Sequence, residues 1–96
     1  MRGGDMENVI SSDAGKTDAN FLIYSTDHCQ YCVAAKRYLQ GHGFDFTEID
    51  LSHDIEKRNQ IVKESGHRTV PVIFDLRNGK PQFIGGFDDL QASGIV

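Results

Sequence analysis

Cys29 and Cys32 stand three positions apart and are the only cysteines in a chain of 96 residues. A cross-link that short closes too small a loop to staple a fold. Two thiols also cannot complete a four-ligand zinc site without histidines, and His28, His42, His53 and His67 show no metal-ligand spacing. Reversible thiol–disulfide exchange is the use that remains. Its attacking species is a thiolate, whereas a free cysteine, with a reference pKa of roughly 8.5, is mostly protonated at neutral pH. One sulfur must therefore be held as an anion. A helix N-terminus does this through its unpaired amides and its macrodipole.

The residues after Cys29 meet that requirement. From Gln30 to about Gln40 the pattern is helical: Val33, Ala34 and Ala35 fall beside Tyr38 and Leu39, while Lys36, Arg37 and Gln40 can face water. Cys29, at the exposed end, is the expected nucleophile. Cys32 lies almost one turn deeper and is expected to resolve the mixed disulfide. Inert buried cysteines, or half of a metal site, are the alternatives, and the strand–loop–helix setting weighs against both.

The elements that must position this pair follow from local signals. Phe21-Leu22-Ile23-Tyr24 reads as a buried strand and Ser25 to His28 as a polar loop. Gly41-His42-Gly43 ends the first helix. Phe44, Phe46 and Ile49 suggest a second strand; Asp54 to Ser65 reads as a helix with Ser52 as N-cap and Gly66 as its stop. Val70 to Phe74 forms a third strand with Pro71 near its start, and Asn78-Gly79 signals a hairpin to Gln82-Phe83-Ile84. Asp88 to Gln91 suggests a short final helix with acids near its positive end. The order β-α-β-α-β-β-α predicts an α/β fold: a four-stranded mixed sheet with helices on both faces, its first two strands parallel through a right-handed crossover. Residues 1–19, rich in Gly, Ser and Asp, are expected to be a flexible tail, leaving 20–96 as the domain.

Bulk properties exclude several classes. The formal net charge is −4 and no strong Lys/Arg cluster occurs, which argues against nucleic-acid binding. No apolar run is long enough to span a bilayer, and no hydrophobic signal core opens the sequence. A cytoplasmic, monomeric protein is expected.

Three separated segments, in order, resemble one family. They are Cys29-Gln30-Tyr31-Cys32, Thr69-Val70-Pro71 and Gly85-Gly86-Phe87-Asp88-Asp89-Leu90. Each is weak alone; together, from Phe21 to Leu90, they resemble a dithiol glutaredoxin of the thioredoxin-like fold. The absence of tryptophan disfavours a thioredoxin proper. The resemblance implies glutathione as reducing co-substrate, and disulfide-containing or glutathionylated proteins as clients. It implies a cis Val70–Pro71 bond that turns the Val70 backbone toward the cysteinyl part of glutathione. It assigns Gly86, Asp88 and Asp89 to the γ-glutamyl end, Arg68 to the glycine carboxylate, and Tyr31 and Thr69 to the groove walls.

Departures from the family pattern leave alternatives open. Gln30 replaces the common proline, and relatives lacking that proline sometimes carry a glutathione-ligated iron–sulfur cluster. Thr26 stands where many relatives have lysine, with His28 as a partial substitute when protonated. The rival readings are an iron–sulfur carrier and a glutaredoxin-like redoxin reduced by thioredoxin reductase.

Overall fold

A computed structural model describes residues 9–94. Its elements are α1 (Val9–Gly15), β1 (Phe21–Ser25), α2 (Gln30–Gly41), β2 (Phe46–Asp50), α3 (Ile55–Ser65), β3 (Val72–Asp75), β4 (Gln82–Gly85) and α4 (Phe87–Ala92). The four strands lie in the order β2-β1-β3-β4. β1 and β2 are parallel, and β1/β3 and β3/β4 are antiparallel. This is the mixed sheet expected from the sequence.

Every residue of β1 is buried, and its alternation divides the core. Leu22 and Tyr24 pack with Ile61 of α3, Val72, Phe74 and Ile10 on one face. Phe21 and Ile23 pack with Ala35 and Leu39 of α2, Ile73, and Leu90 of α4 on the other. Each Leu, Ile, Val or Phe side chain among them contributes about 1.5–3 kcal/mol by leaving water. The central strand is thereby clamped from both sides, and its C-terminal end delivers the loop that carries Cys29.

The N-terminal expectation needs correction. Residues 1–8 lie outside the described residues, but Val9–Gly15 is a helix rather than a flexible tail. Distant partners hold it. The Glu64 carboxylate accepts the Val9 and Ile10 N–H groups at 2.9 and 3.0 Å, satisfying amides that a short helix leaves open. Ile10 enters the core. The Tyr24 hydroxyl donates to Asp13 Oδ2 at 2.6 Å, and Lys57 Nζ lies 3.1 Å from the same oxygen. Burial, and then the Asp13 carboxylate, push the Tyr24 phenol far above its ordinary pKa.

Ser52 is not the N-cap of α3. Asp54 is, accepting from Lys57 N at 3.0 Å. The Ser52 hydroxyl instead accepts from Asp27 N at 2.6 Å, tying the β2–α3 turn to the loop before Cys29. Gly66 ends α3 in the left-handed region, φ 73°, as its position after the helix predicts. The third strand begins at Val72, two residues later than expected; Val70 and Pro71 belong to the approach.

Candidate active site

The loop Thr26–His28 carries the chain from β1 into α2, with His28 at φ 58°, a left-handed conformation uncommon outside glycine. Cys29 is the N-cap of α2, in extended conformation, and its Sγ accepts from the Cys32 N–H at 3.1 Å. The first turn holds no acidic side chain, so the sulfur does not share its amide donors with a carboxylate. A disulfide joins Cys29 and Cys32, whose Cα atoms are 5.2 Å apart. Cys32 is 2% exposed, while Cys29 is only partly buried. The pair therefore has one accessible and one sheltered sulfur.

Opposite the disulfide runs the segment before β3. The Val70–Pro71 bond is cis, as expected. The Val70 carbonyl oxygen lies 3.8 Å from Cys29 Sγ. From there a groove of about 630 Å³ opens between the 67–70 segment and the start of α4. Tyr31, Arg68, Thr69, Val70, Gly86, Asp88 and Asp89 all line it, so the structure brings together seven residues scattered over the sequence. Pro71 lies fully buried behind Val70 rather than in the lining.

Asp89 has a task of its own: its Oδ2 accepts from the Gly86 N–H at 2.9 Å and so closes the start of α4. Gly85, at φ 119°, makes room for it, because a Cβ there would collide with that carboxylate. Any side chain at position 85 would break both the turn and the cap. Arg58, His67 and Phe87 also line the groove and were not anticipated from sequence. His67 Nε2 lies 3.2 Å from Thr69 Oγ1, and its ring packs edge-on to Phe83 at 5.7 Å. Adjacency to Thr69-Val70-Pro71 was the available signal for His67; Arg58, on the outer part of a helix, offered none.

A second recess, of about 480 Å³, lies on the other side of the sulfurs, between α2 and β2. Ser25 Oγ donates to Glu48 Oε2 at 2.6 Å, and Lys36 Nζ donates to the same oxygen at 2.9 Å. Burial pushes the Glu48 carboxyl up, but the Ser25 hydroxyl and Lys36 ammonium outweigh it and hold it below its ordinary value. At the rim, the Ser52 hydroxyl and N–H hold Asp50 low. Among the described residues, no group of three or more His, Cys, Asp or Glu side chains is placed to hold a metal ion. Among the same residues, no helix is long and apolar enough to cross a membrane.

A cysteine pair at the first turn of the helix that leaves a central strand, facing a cis-proline segment, defines a thiol–disulfide oxidoreductase of the thioredoxin-like fold. Comparison narrows the class. The glutaredoxin family model matches residues 21–80. Glutaredoxin 3 of Escherichia coli strain K12 is 42% identical over 74 residues, which cover 77% of this chain and 84% of that one. A wheat glutaredoxin crystal structure superposes with a TM-score of 0.70 at 31% identity, over 86% of this chain and 81% of that one. A buckwheat glutaredoxin–glutathione complex also reaches a TM-score of 0.70 over 96% of this chain and 84% of that one; at 21% identity it speaks to the fold alone. The chain belongs to the glutaredoxin family.

Proposed function

We propose that this glutaredoxin reduces glutathionylated and disulfide-bonded proteins with glutathione as electron donor, working as a monomer in the cytoplasm. The observation that carries the reading is the placement of the Cys29 sulfur. It caps a helix and lies 3.8 Å from the carbonyl oxygen of Val70, a residue that lines the groove. In the first step the Cys29 thiolate attacks the glutathione sulfur of a mixed disulfide. The client departs as a thiolate and Cys29 becomes glutathionylated. A second glutathione thiolate then attacks the bound glutathione sulfur, releasing oxidised glutathione and the Cys29 thiolate. Alternatively Cys32 attacks Cys29, closes the disulfide and expels glutathione; two glutathiones later reopen it. Each branch transfers two electrons and balances without a further oxidant.

The groove supports a tripeptide lying along it. Val70 offers strand-like backbone pairing to the cysteinyl unit, with Thr69 and Tyr31 as walls. Arg68 and Arg58 supply cations for the glycine carboxylate, the role that sequence gave to Arg68 alone. Gly86 and Asp88 flank the γ-glutamyl end. Because Asp89 already holds the Gly86 N–H, Asp88 is the better partner for the ammonium group.

Turnover of the mixed disulfide of glutathione and 2-mercaptoethanol tests the proposal, with recycling by glutathione and glutathione reductase or by thioredoxin reductase alone. Turnover with glutathione is expected, and Cys32→Ser should keep it while losing reduction of intramolecular client disulfides. Recycling by thioredoxin reductase alone would replace this reading with the redoxin one.

A further inference from the structure

The recess behind the disulfide, lined by Cys29 as well as Cys32, holds a charge arrangement to which the proposed function assigns no role. Cys32 and Lys36 are one turn apart on the same stripe of α2, a spacing that puts their Cβ atoms about 5–6 Å from each other. Both line the recess, as do Ser25 and Glu48. A lysine on a helix surface normally extends into water. Lys36 does not: its ammonium is tied across to β2 by Glu48 at 2.9 Å, and its side chain is 26% exposed. Glu48 is fixed in turn by the Ser25 hydroxyl at 2.6 Å, from a residue that is itself 2% exposed. The cation is thus held in a recess that the sheltered cysteine also lines.

Cys32 needs such help more than Cys29 does. It sits inside the first turn rather than at the cap, and burial in low dielectric disfavours a thiolate. We propose that Lys36, held in place by Glu48 and Ser25, is a positioning residue for the second step, favouring the thiolate of Cys32 as it attacks glutathionylated Cys29. This rests on the dithiol reading above. Cys32 gives its proton to water in the recess, and its thiolate attacks Cys29 Sγ. The Cys29–Cys32 bond forms as the Cys29–glutathione bond breaks. The electron pair leaves on the glutathione sulfur, which takes a proton from solvent.

The arrangement makes an opposite-sign prediction. Lys36→Gln removes the cation and leaves the Glu48 anion facing the recess. Glu48→Gln removes the anion and leaves the cation. Asp27, His28 and Asp50 also line the recess, and they remain unchanged in both variants. Reduced protein is converted to the Cys29–glutathione adduct with oxidised glutathione, and release of glutathione on ring closure is followed by stopped flow across pH. Lys36→Gln should slow closure at neutral pH by about three- to tenfold and move its pH profile to higher pH. Glu48→Gln should close at least as fast as wild type, with its profile moved to lower pH. Lys36→Arg keeps the charge and should restore the wild-type profile. In a Cys32→Ser background, neither neutralising variant should change turnover with glutathione. Equal closure in all variants, or a loss in the same direction for Lys36→Gln and Glu48→Gln, would overturn the proposal while leaving the proposed function intact. Failure of the adduct to form at all would overturn both.

Discussion

Helices α2 and α3 begin with the same hydrogen-bond geometry around different atoms. At α3 the cap is a carboxylate: Asp54 Oδ1 accepts the N–H of Lys57, three residues on, at 3.0 Å. At α2 the cap is a sulfur: Cys29 Sγ accepts the N–H of Cys32, again three residues on, at 3.1 Å. The α3 start keeps an acid, Glu56, in its first turn, whereas α2 has none there. A site that suits an ordinary anion in one helix is given to a thiol in the other. At Asp54 the donors stabilise a charge the side chain already has. In the proposed reaction the donors at Cys29 would instead lower the cost of creating one, turning a capping interaction into reactivity.

Substitutions at the two caps separate these roles. The largest effect is expected for Cys29→Ser. Serine is a good N-cap, so α2 should keep its stability, yet an alcohol cannot serve as the nucleophile. Turnover with glutathione should fall to background while thermal unfolding stays near wild type; retained turnover would show that another sulfur attacks. Asp54→Ala is the mirror image. It should cost about 1 kcal/mol of stability in denaturant unfolding and leave turnover unchanged. A comparable loss of turnover would mean that the α3 cap supports the site through the Ser52–Asp27 link rather than stability alone.

Between these lies a prediction for the buried Tyr24–Asp13 pair. The buried Tyr24 phenol keeps its proton in the folded protein well above the ordinary value of 10.0, at which an unfolded tyrosine loses it. Above about pH 10 the unfolded chain therefore binds fewer protons than the native one. The stability contributed by the protonated phenol is present below that pH and lost as pH rises, by up to about 1.4 kcal/mol per pH unit. Tyr24→Phe should remove this alkaline slope. It should also cost about 1–2 kcal/mol at neutral pH, because Asp13 loses a buried donor. An unchanged alkaline slope would show that burial does not keep the Tyr24 phenol protonated.

What could be read in advance divides along the same line of local against distant causes. Pro71, Gly66 and the Asn78-Gly79 turn announce themselves through the backbone of one or two residues, and the structure shows the cis bond, the left-handed helix stop and the hairpin they imply. The helix Val9–Gly15 does not. Its sequence, with two serines, an aspartate and a glycine, has little helical preference, and its stability comes from Glu64, Lys57 and Tyr24, which are far along the chain. The N-cap of α3 lies two residues beyond Ser52, because Ser52 and Asp54 are both good caps. Only the approach of Asp27 assigns the serine elsewhere. Asp89 looked like a ligand residue from its motif, and its carboxylate is already committed to Gly86. The Lys36–Glu48–Ser25 cluster depends on the register of β1 with β2, which no local pattern specifies.

The central claim is that the cap position holds the Cys29 sulfur as an anion in the reduced protein. Its most direct test is the rate of iodoacetamide alkylation of reduced Cys32→Ser protein, in which Cys29 is the only thiol, measured from acid to alkaline pH. The rate should stay on its plateau through neutral pH and fall only in acid. A rate that rises with pH around the roughly 8.5 of a free cysteine would contradict the account.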